Sequence, residues 1–320
     1  MSKRIIILLT VLFSAFLTEN VFAQDPLFTQ FYANPLYLNP ALAGAARCPR
    51  ICLNYRNQWP GIDGTTYTTY SASYDQHVDA ISGGLGLLVT HDDAGNKGIL
   101  KTTNISGMYS FLLPVSRTFS LKFAAQGTWF QKKIDWNRLT FGDMIDPSRG
   151  FVYNTNEVKR LDQKSGIDIS AGALGYSKYI FVGFAAHHLT QPDEGLLGKA
   201  PLPMKITGHA GAVIPIGDKS SEVSISPNIL FQQQQNFQQL NIGMYVTKGP
   251  IVGGLWYRNR DSFIILLGIQ QHFFKLGYSY DITSSKLTNT TAGSHEFSFA
   301  LNFECKKKIK KFRTVNCPSF

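Results

Sequence analysis

After its first two dozen residues this chain has no apolar run long enough to cross a bilayer as a helix, which takes about 20 residues. It also offers almost no helix of any other kind to cover an apolar surface. Charged residues are sparse at 16%. Neither a G-x-S-x-G nor an H-E-x-x-H is present, so no hydrolase or zinc-protease signature supports an enzyme reading. Paired glycines such as Gly83-Gly84 and Gly253-Gly254 lie within strand-like stretches, so they do not cradle a phosphate between a strand and a helix. The sequence calls for no cofactor, and no nucleic-acid module is present.

What the chain has in quantity is alternation. In His295–Phe303 the residues Phe297, Phe299, Leu301 and Phe303 fall on one face, and Glu296, Ser298, Ala300 and Asn302 on the other. Period two means a β-strand with one apolar and one polar side. A sheet with no helices to cover it either folds onto a second sheet or closes on itself and gives its apolar outside to lipid. The expectation is the second: an all-β, closed antiparallel transmembrane barrel with His295–Phe303 as the strand that closes the ring. Aromatic content of 13%, 28 glycines and low charge fit a barrel whose every second residue is polar. They also fit a large secreted β-sandwich, so composition does not separate the two.

The chain opens with Lys3 and Arg4, the apolar run Ile5–Leu17, and Val21-Phe22-Ala23 before Gln24. This reads as a signal peptide over residues 1–23, cleaved after Ala23, with no Cys following to carry a lipid anchor. Residues 24–50 form an irregular segment whose first part, 24–44, holds three prolines and two Asn-Pro pairs, which oppose regular strand pairing. The segment is nonetheless rich in Phe, Tyr and Leu and needs somewhere to pack, either the barrel lumen and its mouth or a partner's groove. A barrel is expected over 51–304 and a basic, cysteine-containing periplasmic tail over 305–320. The formal charge of +10 is largely this tail, with Lys306, Lys307, Lys308, Lys310, Lys311 and Arg313. It either solubilises the chain or meets an acidic periplasmic partner.

Fourteen strands are predicted, approximately over 51–59, 67–77, 83–90, 102–113, 118–132, 165–176, 178–188, 204–215, 222–232, 237–247, 251–259, 261–270, 273–282 and 295–303. In the fifth, a slip of phase near Gly127 suggests a bulge. Links after even-numbered strands are short, whereas the long ones (91–101, 134–164, 189–203 and 283–294) all follow odd-numbered strands. Outer-membrane barrels sort their connections in this way, with short periplasmic turns and longer outside loops, and a Greek-key sandwich has no reason to. Trp59, Tyr67, Tyr70, Trp129, Trp256, Tyr257, Tyr278 and Tyr280 lie near strand ends, where interfacial girdles form. Strand propensity alone would also place aromatics there.

Four cysteines lie at the two ends of the mature chain. Cys48, Cys52, Cys305 and Cys317 suggest disulfides in an oxidising periplasm, with three possible connectivities. The expected seam staple is Cys52–Cys305, with Cys48–Cys317 possible and the local pairs Cys48–Cys52 and Cys305–Cys317 as the alternative; a four-cysteine zinc site fits the spacing less well. His187 and His188, adjacent on a strand, should point to opposite faces and not chelate one ion. The acidic residues of loop 134–164 lack EF-hand spacing.

Several stretches carry a resemblance. Asp25-Pro26 with Phe28 and Tyr32, Asn34-Pro35, Asn39-Pro40-Ala41, Tyr55–Gly61, Tyr70–Tyr74, Gly84–Gly86 with Asp92–Gly95, His188–Pro192 and Gly277–Asp281 together resemble the PorP/SprF family of type IX secretion and gliding proteins. The likeness runs from about residue 24 to the end. It implies an outer-membrane component of that apparatus, non-enzymatic, which helps export or anchor a secreted surface protein through that client's C-terminal sorting domain. It also implies periplasmic partners linked to peptidoglycan. The contact residues expected are Asp25, Pro26, Phe28, Phe31, Tyr32, Asn34 and Asn39, with Lys306, Lys307 and Lys308. The competing reading is a FadL-like or porin-like channel in which the N-terminal segment is a plug.

Overall fold

The computed structural model describes residues 25–304 apart from 47, 97, 197, 218–222, 260 and 285–290. Fourteen antiparallel strands close into a barrel. They are β1 Arg50–Gln58, β2 Thr65–Val78, β3 Gly83–Asn96, β4 Leu100–Pro114, β5 Ser120–Ile134, β6 Gln163–Tyr176 and β7 Ile180–His187, followed by β8 Lys205–Ala212, which continues as Ile214–Ile216. The others are β9 Val223–Gln234, β10 Phe237–Lys248, β11 Ile251–Arg258, β12 Ser262–Gln270, β13 Phe274–Thr283 and β14 Ser294–Asn302. The break in β8 at Val213 leaves its register on β9 unchanged, from Lys205↔Gln234 to Ile214↔Ile225. Each strand pairs with its neighbour in sequence, and β1 pairs with β14 from Arg50↔Asn302 to Gln58↔Ser294. The ring therefore has no open seam, and His295–Phe303 lies where the alternation put it.

Alternation decides which way each side chain points. Phe297 is 50% and Leu255 61% exposed on the outside, whereas Glu296 and Ser298 are buried inside. A soluble sandwich would bury the aromatic face; here that face is given to lipid. Strand β5 needs no bulge at Gly127, because its pairing with β4 runs in one register from Leu100↔Ile134 to Pro114↔Ser120. The girdle expectation is corrected at Trp256, which faces the lumen and is 3% exposed, while Tyr70, Trp129 and Tyr257 do face outward.

Long connections gather at one end, as 135–162, 188–204 and 284–293. The predicted loop 91–101 is different. There β3 continues to Asn96 and β4 starts at Leu100, so most of that stretch is a tall hairpin. The Asp92 carboxylate is occupied within the sheet, accepting the Thr69 hydroxyl at 2.6 Å.

Candidate functional site

The lumen is filled by the chain's own N-terminal segment. Residues 31–42 form three short turns, a 3-10 turn Phe31–Ala33, a helical turn Pro35–Leu38 and a 3-10 turn Pro40–Leu42. Each proline after Asn34 and Asn39 starts a turn, where its missing N–H costs nothing. Asn39 caps the last one by accepting the Ala41 N–H at 2.9 Å. The segment crosses the lumen from the long-loop end at Asp25 to the short-turn end at Gly44, then enters β1.

One side of the plug is apolar. Phe31, Tyr32, Leu38 and Leu42 pack against Phe181, Leu230, Tyr245, Trp256, Ile264 and Leu266 from β7 and β9–β12. The Phe31 and Trp256 rings meet edge-on at 5.2 Å. Burying each large apolar side chain is worth about 2 kcal/mol, so this wall alone holds the plug firmly.

The other side is polar and locked in three places. Toward the long-loop ends of their strands, a neutral quartet of Arg56 (β1), Arg258 (β11), Asp281 (β13) and Glu296 (β14) surrounds Thr29 and Gln30. Glu296 accepts the Thr29 N–H at 2.6 Å and the Gln30 N–H at 3.1 Å. Arg56 donates to Asp281 at 2.9 Å and to Glu296 at 3.2 Å, and Arg258 donates to Asp281 at 3.1 Å. The Thr29 hydroxyl donates to Asp281 at 2.7 Å while accepting from both arginines. Buried charges survive only when paired and hydrogen-bonded, and here the plug backbone supplies part of that solvation.

At the short-turn end, the Gly44 N–H donates to Asp75 at 2.9 Å, and Asp75 is also paired with Arg50. The Ala43 carbonyl accepts from Ser110 at 2.7 Å and from Lys122 at 2.5 Å. Gly44 has φ +60, and a Cβ there would stand 2.6 Å from the Gly84 Cα. Only glycine allows the plug this close to β3.

At the long-loop end Asp25 is tethered by His188 Nε2 at 2.9 Å and by Lys205 at 3.3 Å, and His188 Nδ1 meets Asp168 at 2.8 Å. Burial would raise the Asp25 carboxyl, but His188 and Lys205 hold it far below the usual carboxylate range. Burial likewise disfavours the His188 cation, yet Asp25 and Asp168 push it up to about 10. His188 has φ +59 and has left the strand, so it turns inward rather than pointing opposite to His187. A polar cavity of about 60 Å³ remains beside the tether, lined by residues including Ser106, Gln126 and Thr128. Among the described residues no three metal-ligating side chains gather.

The expected contact residues separate. Phe28, Phe31, Tyr32, Asn34 and Asn39 are buried against the barrel wall. For them the partner-groove expectation is corrected: a ring of this size has an interior that an irregular apolar segment can fill. Asp25 and Pro26 are half-buried near the long-loop mouth. Lys306, Lys307 and Lys308 lie outside the described residues, as does the signal peptide.

The cysteine expectation is corrected as well. Cys52 is a free thiol, 2% exposed on the lumen side opposite Ala300. This removes both Cys52–Cys305 and Cys48–Cys52. Cys48 is disulfide-bonded, and its partner falls outside the described residues, where Cys305 and Cys317 lie.

The quartet was not singled out from sequence, although ionisable residues on the lumen face of membrane strands are the signal that finds it. Arg56, Asp281, Thr29 and His188 come from four separate motifs of the family resemblance and all meet the plug or bracket its end.

Comparison with known proteins agrees with the architecture. The model of the type IX secretion system membrane protein PorP/SprF family matches residues 20–301. No curated protein matches the chain. Among solved structures, the Ralstonia pickettii toluene transporter TbuX is similar at 11% identity and TM-score 0.50, over 84% of this chain and 93% of that one. A Pseudomonas aeruginosa FadL homologue is similar at 13% identity and TM-score 0.47, over 86% and 96%. At 11% identity the likeness to TbuX is one of fold.

Proposed function

Since this chain belongs to the PorP/SprF family of type IX secretion system membrane proteins, we propose that it is a plugged outer-membrane barrel that binds a secreted surface protein and helps to export or anchor it. The protein does no chemistry of its own. It is exported through a signal peptide removed after Ala23, and the long-loop end faces outward. The client engages the outer loops and rim through its C-terminal sorting domain, while the basic tail with Lys306, Lys307 and Lys308 serves periplasmic, peptidoglycan-linked components.

The observation that carries this reading is the filled lumen. A plugged channel must release its plug to open a path, whereas here Glu296 holds the plug backbone through Thr29 and Gln30, Asp75 and Lys122 hold its other end, and the apolar wall seals the opposite side. What remains is a rigid drum with a structured outer face, which suits binding better than conduction. Affinity isolation of the full chain from its own cells in mild detergent tests it. Co-purification of a large secreted protein is expected; recovery of the barrel with lipid alone, together with steady small-molecule uptake, would favour the FadL-like channel instead.

A further inference from the structure

Strand β6 has 14 residues and its neighbour β7 only 8. Their pairing covers only Ala171↔Ala186 to Tyr176↔Phe181. One more rung follows, the Leu189 N–H donating to the Ile169 carbonyl at 2.9 Å. Beyond it β6 continues to Gln163, still paired with β5 as far as Gln163↔Lys133, but with no described residue paired to its other edge.

The cause is the tether described above. His188 adopts a left-handed conformation and its ring is held by Asp168 and Asp25, so the chain after β7 turns over the lumen instead of climbing beside β6. Loop 188–204 is then fastened from within, Asp193 to Lys164 at 2.6 Å and Glu194 to Lys132 at 2.9 Å.

Alternate residues of a strand present their N–H and C=O to alternate neighbours. Since Ile169 faces the β7 side, so do Ser165 and Ile167, whereas Lys164 and Gly166 bond to β5. Among the described residues nothing bonds to the N–H and C=O groups of Ser165 and Ile167 on that edge. Proteins guard such edges with proline, a bulge or an outward lysine. Here there is no proline, the register on β5 is unbroken, and the one lysine is drawn inward to Asp193. Ile167, 72% exposed, and Ile169, 48% exposed, stand beside the edge on the outer face.

We propose that the upper edge of β6, Gln163–Asp168, is a strand-addition site that receives an extended segment of a second protein. Only a backbone offers donors and acceptors at the two-residue repeat that Ser165 and Ile167 present, and the flanking isoleucines select apolar residues at alternate positions of the incoming strand. Exposed Lys133, paired across from Gln163, puts a positive charge at the start of the edge, which favours acidic residues at the end of that strand nearest Gln163. This deepens the proposed function by saying how a secreted client is gripped, and it rests on that reading only for the client's identity.

The test uses the full chain in detergent and an eight-residue peptide of alternating Val and Thr with Asp at both ends. Binding is followed by fluorescence anisotropy, and amide hydrogen exchange is read with and without peptide. Saturable binding is expected, with exchange at Ser165 and Ile167 slowed about tenfold or more. Ser165→Pro removes an N–H that the β5 ladder does not use, and should weaken binding about tenfold, the equivalent of one lost hydrogen bond; Ser165→Ala should leave it unchanged. No binding, protection elsewhere in the barrel, or equal affinity of the proline variant would overturn the proposal. Because the probe is synthetic, failure here would leave the client-binding reading standing, and failure to isolate a client would leave this result standing.

Discussion

Glu296, on the strand that closes the ring, accepts the Thr29 backbone N–H at 2.6 Å across 267 residues of sequence. One carboxylate thus joins the last strand of the barrel to the N-terminal plug. It also neutralises Arg56 of the first strand. Barrel closure and plug seating share this residue.

Replacing Glu296 with Ala leaves Arg56 short of a partner and two plug N–H groups without an acceptor. Removing one member of a buried pair costs about 3–5 kcal/mol. The E296A variant should therefore melt earlier and expose residues 25–45 to protease while the strands stay protected. Unchanged cleavage kinetics in the plug would separate the quartet from plug retention.

The Asp25–His188 tether sets a pH dependence. The His188 pKa is raised to about 10 in the seated state, so its contribution is complete below about 6.5 and is lost as pH rises from there through about 10. Asp25 is shifted down, so its contribution is present above about 3.9 and fades as pH falls below that. Protease nicking near Asp25 should increase from pH 6.5 to 10 in the wild type, and H188Q should flatten that rise.

Gly44 carries a steric prediction. Its φ is +60, and any Cβ added there would stand 2.6 Å from the Gly84 Cα. Gly44→Val must therefore shift the plug or β3, and a destabilisation of about 2 kcal/mol or more is expected. Thermal unfolding in detergent measures it; a wild-type melting temperature would mean that the close approach is dispensable.

The thiols give a chemical check. A membrane-impermeant maleimide should leave Cys52 unmodified until the protein is unfolded, because its side chain is buried toward the lumen. Non-reduced peptide mapping should recover Cys48 joined to a tail peptide carrying Cys305 or Cys317. A Cys48–Cys52 pair would contradict the observed free Cys52.

The barrel was legible in the sequence because period two is a local property. Phe297, Phe299 and Leu301 alternate with Glu296, Ser298 and Ala300 whatever the rest of the chain does, and the fourteen strands follow in order. Alternation does not say what fills the inside. Trp256 and Leu266 lie on the lumen face, and only the ring closed around Phe31 and Tyr32 gives them a reason to be there. The plug is irregular, so Phe28 and Asn39 read equally as partner contacts or as lumen filling. The Asp92–Gly95 run looked like a loop because turn residues also occur in tall hairpins, where their side chains find partners across the sheet. Asp281 and Glu296 stand on neighbouring strands, and only closure of the ring brings Arg56 to them from the other end of the chain.

Single-channel recording of the purified full chain in a planar bilayer tests the filled lumen most directly. The wild-type protein should show no steady conductance, and a chain lacking residues 25–45 should open a persistent one. A stable wild-type pore of the same size as that deletion's would contradict the account.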